Sequence, residues 1–279
     1  MKLLSQLNWF SRRRLRNTIR TASVIAVLAG VVMWMDQSLL HSSFFTGYVL
    51  IGSLFLLAAF GMRKRLPMIG GIGSAAFWMQ MHIYVGLGSF AVFAMHIAFR
   101  FPDGMLESIL ATLYCVVFFS GLYGLWATRT IPRKLTNVGE EVIFERIPLF
   151  KRNLARQAQT IVMESCERTP VLARFYANRL SGFFERRRSL AYLLVPTGRM
   201  RRQLISEIEE LDRFLAQEDR SVSRKLAIMV RKKDDLDYHT AMQGRLKVWL
   251  FVHIAMTYSL LIFSVVHGVL AHSFGGGIS

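Results

Sequence analysis

Acidic residues and cysteines are what this sequence has least of. Its 279 residues hold 18 Asp and Glu against 35 Lys and Arg, a formal net charge of +17. Charged residues of both signs make up 19% of the chain, against roughly 25% in a soluble globular domain. The 2 cysteines, Cys115 and Cys166, form no C-x-x-C and no C-x-x-C-H. Thiolate zinc sites, Cys-ligated iron–sulfur clusters, c-type haem attachment and a secreted disulfide scaffold are therefore excluded. A disordered tail protein and a soluble enzyme core are excluded by the apolar content, which is 53% of residues with a mean hydropathy of +0.34.

That apolar content sits in five blocks. A helix needs about 20 apolar residues to cross a bilayer core. The blocks predict spans over residues 21–40, 44–61, 77–99, 106–127 and 248–271. The first is not expected to be a cleaved signal peptide, because it is long and no small-residue cleavage site precedes a soluble domain. The expected fold is all-α: an integral membrane bundle of five transmembrane helices with a helical cytoplasmic insertion. Residues 1–128 form the membrane domain of spans one to four, 129–247 a basic cytoplasmic helical loop, and 248–279 the fifth span with a short outer tail.

Charge sets the expected orientation. The N-terminal arm carries Lys2, Arg12, Arg13, Arg14, Arg16 and Arg20, and a short loop carries Arg63, Lys64 and Arg65. Another 25 Lys and Arg lie between Arg129 and Lys247, which leaves Arg100 as the one exception. Asp36, Asp103 and Glu107 lie in the opposite segments. Positive residues stay on the cytoplasmic side. The N-terminus is thus expected inside and the C-terminus outside, in a bacterial-type inner membrane. Arg63, Arg65, Arg245 and Lys247 then read as inner anchors. The same topology accounts for the +17, so no nucleic-acid binding is expected.

Within the 129–247 segment, Leu204, Ile208, Leu211 and Leu215 recur at helical spacing among Glu207, Glu209, Glu210 and Arg213, which predicts an amphipathic helix. Ile131-Pro132 opens the segment, and Pro148, Pro170 and Pro196 divide it into three or four helical pieces. No strand-like alternation and no internal repeat appears. The Gly275-Gly276-Gly277 run is expected to be a disordered end.

The histidines carry the chemistry. Of 7 in the chain, His82 and His96 lie in the third span, and His253 and His267 in the fifth. Each pair is separated by 14 residues. Fourteen residues at about 100° each come within some 40° of four whole turns, so both histidines of a pair share one helix face. They are separated by about 21 Å along the axis, one near each side of a ~30 Å hydrocarbon core. Spans three and five run in the same direction, so the depths match. His82 with His253 would form an inner pair, and His96 with His267 an outer pair. Imidazoles facing each other between helices suit the two axial positions of a low-spin haem b, which leaves no open site for oxygen or substrate. A lone intramembrane histidine is as readily a helix–helix hydrogen bond. A proton relay through the same four residues is the main rival. Gly86, Gly121, Gly124 and Gly268 would let a macrocycle approach the backbone, or simply allow close helix packing. Arg100, four residues after His96, is placed on the same face, either reaching an outer haem propionate or snorkelling. His41, His239 and His272 read as surface histidines.

Two helices each carrying His-x13-His resemble the dihaem transmembrane cytochromes b. The stretch from His82 through Gly86 to His96 and Arg100 is similar to the first ligand helix of the bc-type protein. The placement of ligands in spans three and five with an N-in start is closer to the ferric reductase plan. The resemblance covers 77–127 and 248–271. It implies two haem b groups held by His82, His253, His96 and His267, with a quinone as a further candidate cofactor. The function it implies is transmembrane electron transfer between the quinone pool, or a cytoplasmic-side donor, and an external redox partner. That partner would be a multihaem cytochrome c or an iron–sulfur protein, in a membrane-lipid setting with quinol as the other candidate. No G-x-G-x-x-G opens a strand–helix unit, so the chain is expected to act as an electron-transfer subunit and not to take a hydride by itself. The alternatives are a haem-free transporter or channel with a histidine proton path, and a membrane anchor for a partner complex.

Overall fold

A computed structural model describes residues 2–38, 41–62, 73–138, 142–165, 167, 169–217 and 219–275, with side chains described from 12 to 274. The Arg63 to Arg65 cluster, Cys166 and the end of the glycine run lie outside the described residues. No strand occurs among the described residues; the fold is all-α. Among the described residues five helices are long and apolar enough to cross a membrane, which makes this a multi-pass membrane protein. They are α1 (Lys2–Gln37), α2 (Ser42–Met62), α3 (Ala75–His96), α4 (Met105–Thr136) and, last in the chain, α10 (Arg220–Gly275).

Helix boundaries depart from the apolar blocks in both directions. α1 starts before the first block, and α4 runs on past residue 127 with Pro132 inside it. α10 begins at Arg220, not at 248, so the fifth span is the end of one 56-residue helix. Hydropathy marks the lipid-crossing stretch, whereas backbone hydrogen bonding continues wherever good helix formers follow. α3 is shorter than its block. It ends at His96 in a Schellman closure, with Phe99 N–H donating to the Ala94 carbonyl and Ala98 N–H to the Met95 carbonyl. Ala98 and Phe99 take φ of 47° and 55°, positions that usually call for glycine.

The chain divides into two compact units. The first comprises residues 1–123 and 252–279. In it α3 packs on α2 and α1. Its buried cluster takes Leu54 from α2, Phe93 from α3, Ala111 and Tyr114 from α4, and Leu260 from α10. Phe93 stacks on Tyr114 with centroids 4.1 Å apart, and Phe90 on Phe118 at 4.4 Å. The Tyr114 hydroxyl is 2.8 Å from Ser89 Oγ, so the buried phenol is satisfied.

The second unit spans Gly124–Phe251. It contains a 3₁₀ turn (Phe144–Arg146), α5 (Ile147–Ser165) and α6 (Pro170–Phe175), the latter opening on a proline at its first turn. A π-turn (Tyr176–Leu180) joins α6 to α7 (Ser181–Glu185), and α8 (Leu190–Leu194) and α9 (Arg199–Asp212) follow. The predicted amphipathic helix is α9, which buries Leu204 and Ile208; Leu215 is also buried, beyond its end. These two residues meet Leu154, Ala158, Leu172, Phe184 and Val230 in one apolar core. The Arg179 guanidinium holds the Glu207 carboxyl on the outside of α9 below the usual carboxylate range.

A charge cluster lies beside that core. Asp237 is 2% exposed and accepts from Lys233 Nζ at 2.6 Å, Lys151 Nζ at 2.8 Å and Arg188 Nε at 2.7 Å. Arg188 also reaches Asp234 at 2.8 Å, and its guanidinium lies over the Phe183 and Tyr192 rings. His239 is 2% exposed, not at the surface as its isolated position in the sequence suggests. Its Nε2 lies 2.8 Å from the Val138 carbonyl, a donor that carbonyl acquires from 101 residues away. Asp237→Ala would strand Lys233 in a buried setting, while Arg188 keeps Asp234. The expected cost is about 3–5 kcal/mol, read as unfolding at lower urea and faster tryptic cleavage of this unit in the full chain.

Candidate functional site: the intramembrane histidines

All four intramembrane histidines belong to the first unit, and all are half-buried. The structure brings the outer pair together edge-on. The His96 and His267 ring centroids are 6.5 Å apart, with the rings nearly perpendicular at 86°. The structure thus brings α3 and α10 together at the level of His96 and His267.

Two of the four histidines, His96 and His253, are each backed by a neighbouring helix bearing a hydroxyl residue followed by glycine. Behind His96 stands Thr46-Gly47 of α2. His96 Nδ1 lies 3.1 Å from both the Ser43 carbonyl and Thr46 Oγ1. A carbonyl can only accept, so Nδ1 carries the proton and the Nε2 lone pair is available. Thr46 also bonds the Ser42 carbonyl at 3.0 Å, which uses its proton and leaves its oxygen to accept from the imidazole. A Cβ on Gly47 would sit 3.2 Å from His96 Cε1, so a larger residue would press on the ring.

Behind His253 stands Ser120-Gly121 of α4. Ser120 Oγ is 3.2 Å from His253 Nδ1, and a Cβ on Gly121 would lie 3.7 Å from His253 Cε1. His267 faces Glu107 of α4, with Nδ1 4.0 Å from Oε1, within ion-pair range and beyond a hydrogen bond. His82 differs from the others. Phe60 of α2 lies 5.2 Å from its ring and the Leu57 backbone stands nearby, yet Nδ1 is buried with no hydrogen-bond partner among the described residues. An unpartnered imidazole nitrogen in an apolar interior costs free energy.

This donor set fits a metal held between opposed imidazoles. Metal–imidazole bonds are about 2 Å long, so an iron between two rings sets their centroids roughly 6 Å apart. The outer pair stands near that separation. Among the described residues no group of three or more His, Cys, Asp or Glu gathers at one point, so a polydentate zinc or copper cage has no support.

The remaining predicted residues are placed less tightly. Gly86 points toward Leu57 of α2, where a Cβ would find Leu57 Cδ2 at 3.9 Å, and Gly268 faces open space. Arg100 does not share the His96 face. The helix has already closed at Ile97, and Arg100 follows the two left-handed residues in an exposed turn. Gly124 lies against the Trp249 indole, into which any Cβ would run. His41 and His272 are exposed, as expected; His272 stacks on Phe44 at 5.4 Å and touches the Tyr48 hydroxyl. Ser43, Thr46, Gly47, Phe60, Glu107 and Ser120 are the site residues that sequence reasoning missed. Their one signal is the repeated hydroxyl–glycine dipeptide in the spans that carry no ligand histidine.

No family model, no curated protein and no solved structure matches the chain.

The facing of α3 and α10 is testable without any cofactor. In a Cys115→Ser, Cys166→Ser background, His96→Cys with His267→Cys is expected to be bridged by a short bifunctional maleimide. His82→Cys with His267→Cys, about 21 Å apart in depth, is expected not to be bridged.

Proposed function

We propose that this chain is a transmembrane electron carrier, a b-type cytochrome subunit in which His82 with His253 and His96 with His267 each hold one haem b. The observation that carries this reading is the outer pair: two imidazoles 6.5 Å apart on separate helices, one of them protonated at Nδ1 by its hydrogen bonds. Held by these four histidines, haem would supply reversible one-electron chemistry.

The protein's own residues prepare the site. Ser43 and Thr46 keep the His96 proton on Nδ1, and Ser120 orients His253; such outer-shell bonds fix ring orientation and raise ligand basicity. Gly47 and Gly121 leave room for these rings beside the neighbouring backbone. At mid-depth, Phe93, Tyr114 and Leu260 are each under 10% exposed and close the bundle between the two histidine levels. Leu260 stands midway between His253 and His267 in the chain, as Ser89 does between His82 and His96.

In this proposal the N-terminus is cytoplasmic and the C-terminus external, in a bacterial-type inner membrane. The arginine-rich flank of α1 supports that orientation. Exchange at the two faces would involve quinol in the bilayer and an external redox protein. The second unit is then a cytoplasmic body, supported by its excess of Lys and Arg.

The visible spectrum of the solubilised chain, expressed with ample haem supply, tests the reading. Dithionite is expected to produce a b-type α-band, with two haems per chain by pyridine haemochrome assay. His82→Ala and His267→Ala are each expected to remove about half of that haem, and His239→Ala none. A colourless wild-type protein that still conducts protons would replace this reading with the histidine proton path.

A further inference from the structure

Within the second unit, two helices mark the depth at which the chain meets the bilayer. α4 leaves its apolar block at Ala127, and the apolar block of α10 opens at Val248. Ala127 and Ile131 of α4 pack with Met242 of α10 in one buried cluster, so both helices agree on that level. Trp126 precedes Ala127 and is 54% exposed, at a depth where tryptophan collects along the edge of the hydrocarbon.

The 3₁₀ turn before α5 is fastened to α10 at the same level. Gln243 Nε2 donates to the Val142 carbonyl at 2.9 Å. Lys247 pairs with Glu145, and its Nζ lies 4.1 Å from the Phe144 ring centroid. Residues 243 to 247 directly precede Val248, so these contacts hold the turn within about 8 Å, along α10, of the stretch that crosses the membrane.

The turn and the start of α5 present an apolar and cationic surface there. Ile143, Leu149 and Phe150 are 59%, 57% and 43% exposed. Arg146, Leu149, Phe150 and Asn153 recur at i, i+3, i+4 and i+7, along one helix face. The core face of α5 is a different one, carrying Leu154, Ala158 and Val162. Arg146, Arg152 and Arg156 are exposed, and no acid occurs between Glu145 and Glu164. Large apolar side chains set this close together on a surface gain free energy when something takes them from water.

We infer that this segment is an interfacial foot. Ile143, Leu149 and Phe150 enter the boundary between headgroups and acyl chains, and Arg146 and Arg152 hold the phosphates of anionic lipid. The lipid surface is the occupant because the segment is continuous in depth with the membrane-crossing stretch of α10. The chemistry agrees: interfacial helices carry Lys and Arg on the polar side and Leu and Phe on the other, and an anionic leaflet favours each cation near it. The foot depends neither on haem nor on which side of the bilayer the unit occupies, and its test reads neither.

The test is quenching of a fluorescent label on the full chain in nanodiscs of equal phosphatidylglycerol and phosphatidylcholine. In a Cys115→Ser, Cys166→Ser background, Phe150→Cys carries an environment-sensitive nitrobenzoxadiazole label. Phe214→Cys carries the reference label. Phe214 is 84% exposed, but Arg220 Nε donates to the Asp212 carbonyl at 3.2 Å, which ties that region to a point 28 residues before Val248, about 42 Å of helix. Lipids brominated near the glycerol end of their acyl chains are expected to quench the Phe150→Cys label, and aqueous acrylamide to spare it. The Phe214→Cys label is expected to show the reverse. A label at Ile143→Cys is also expected to be quenched by the brominated lipid, and to lose that quenching when Leu149→Asp and Phe150→Asp put carboxylates into the boundary. Arg146→Gln with Arg152→Gln is expected to remove the extra quenching that phosphatidylglycerol gives over phosphatidylcholine alone. Equal acrylamide quenching at Phe150→Cys and Phe214→Cys would overturn the inference, because the segment would then face water. A Phe150→Cys label shielded from lipid and acrylamide alike would show a protein surface, a second copy or another chain, over the segment, and would equally contradict it.

Discussion

An imidazole in the hydrocarbon interior must find a partner for each of its nitrogens. Water is not there to supply one, and an unmet polar group costs several kcal/mol in such surroundings. This chain places four imidazoles at that depth, and much of the membrane unit is arranged around them. α2 offers the Ser43 carbonyl and the Thr46 hydroxyl to His96, and α4 offers Ser120 to His253. α3 and α10 turn their histidines toward each other. What these bonds leave over, the Nε2 lone pair of His96 foremost, is what the proposed haems would take up.

The packing between the histidine levels follows from the same requirement. A bundle that holds polar groups near both of its ends gains stability from an apolar middle, and the Phe93–Tyr114 stack with Leu54 and Leu260 supplies it. Tyr114 is the exception that shows the rule, since its hydroxyl enters the core only with Ser89 as a partner. The second unit solves a similar problem with full charges. Lys233 and Asp237 are buried because Lys151, Arg188 and Asp234 complete a cluster around them. Its apolar core is conventional, built on α5, α9 and the start of α10.

Much of this was legible in the sequence. Five spans were visible because a ~30 Å core demands a run of apolar residues that little else requires. The meeting of His96 with His267 was visible because a 14-residue spacing keeps one face and the two spans were read as parallel. The helix ends were not. α10 begins 28 residues before its apolar block, since Arg, Lys and Met propagate a helix nearly as well as Leu does. α3 closes on Ala98 and Phe99 without glycine, so no local signal warned that Arg100 leaves the His96 face. Thr46 and Ser120 could not be assigned, because a hydroxyl in a span bonds its own helix by default until a neighbour is known. His239 failed for a related reason, its partner being a carbonyl of Val138 far away in the chain.

Axial ligation is the point on which the account turns, and near-infrared magnetic circular dichroism of the oxidised wild-type protein reports it directly. Two imidazoles on each iron give the low-spin charge-transfer signature of bis-histidine haem, and the account predicts that signature from both centres. A high-spin signal, a histidine–methionine signature, or a protein that takes up no haem at all would contradict it.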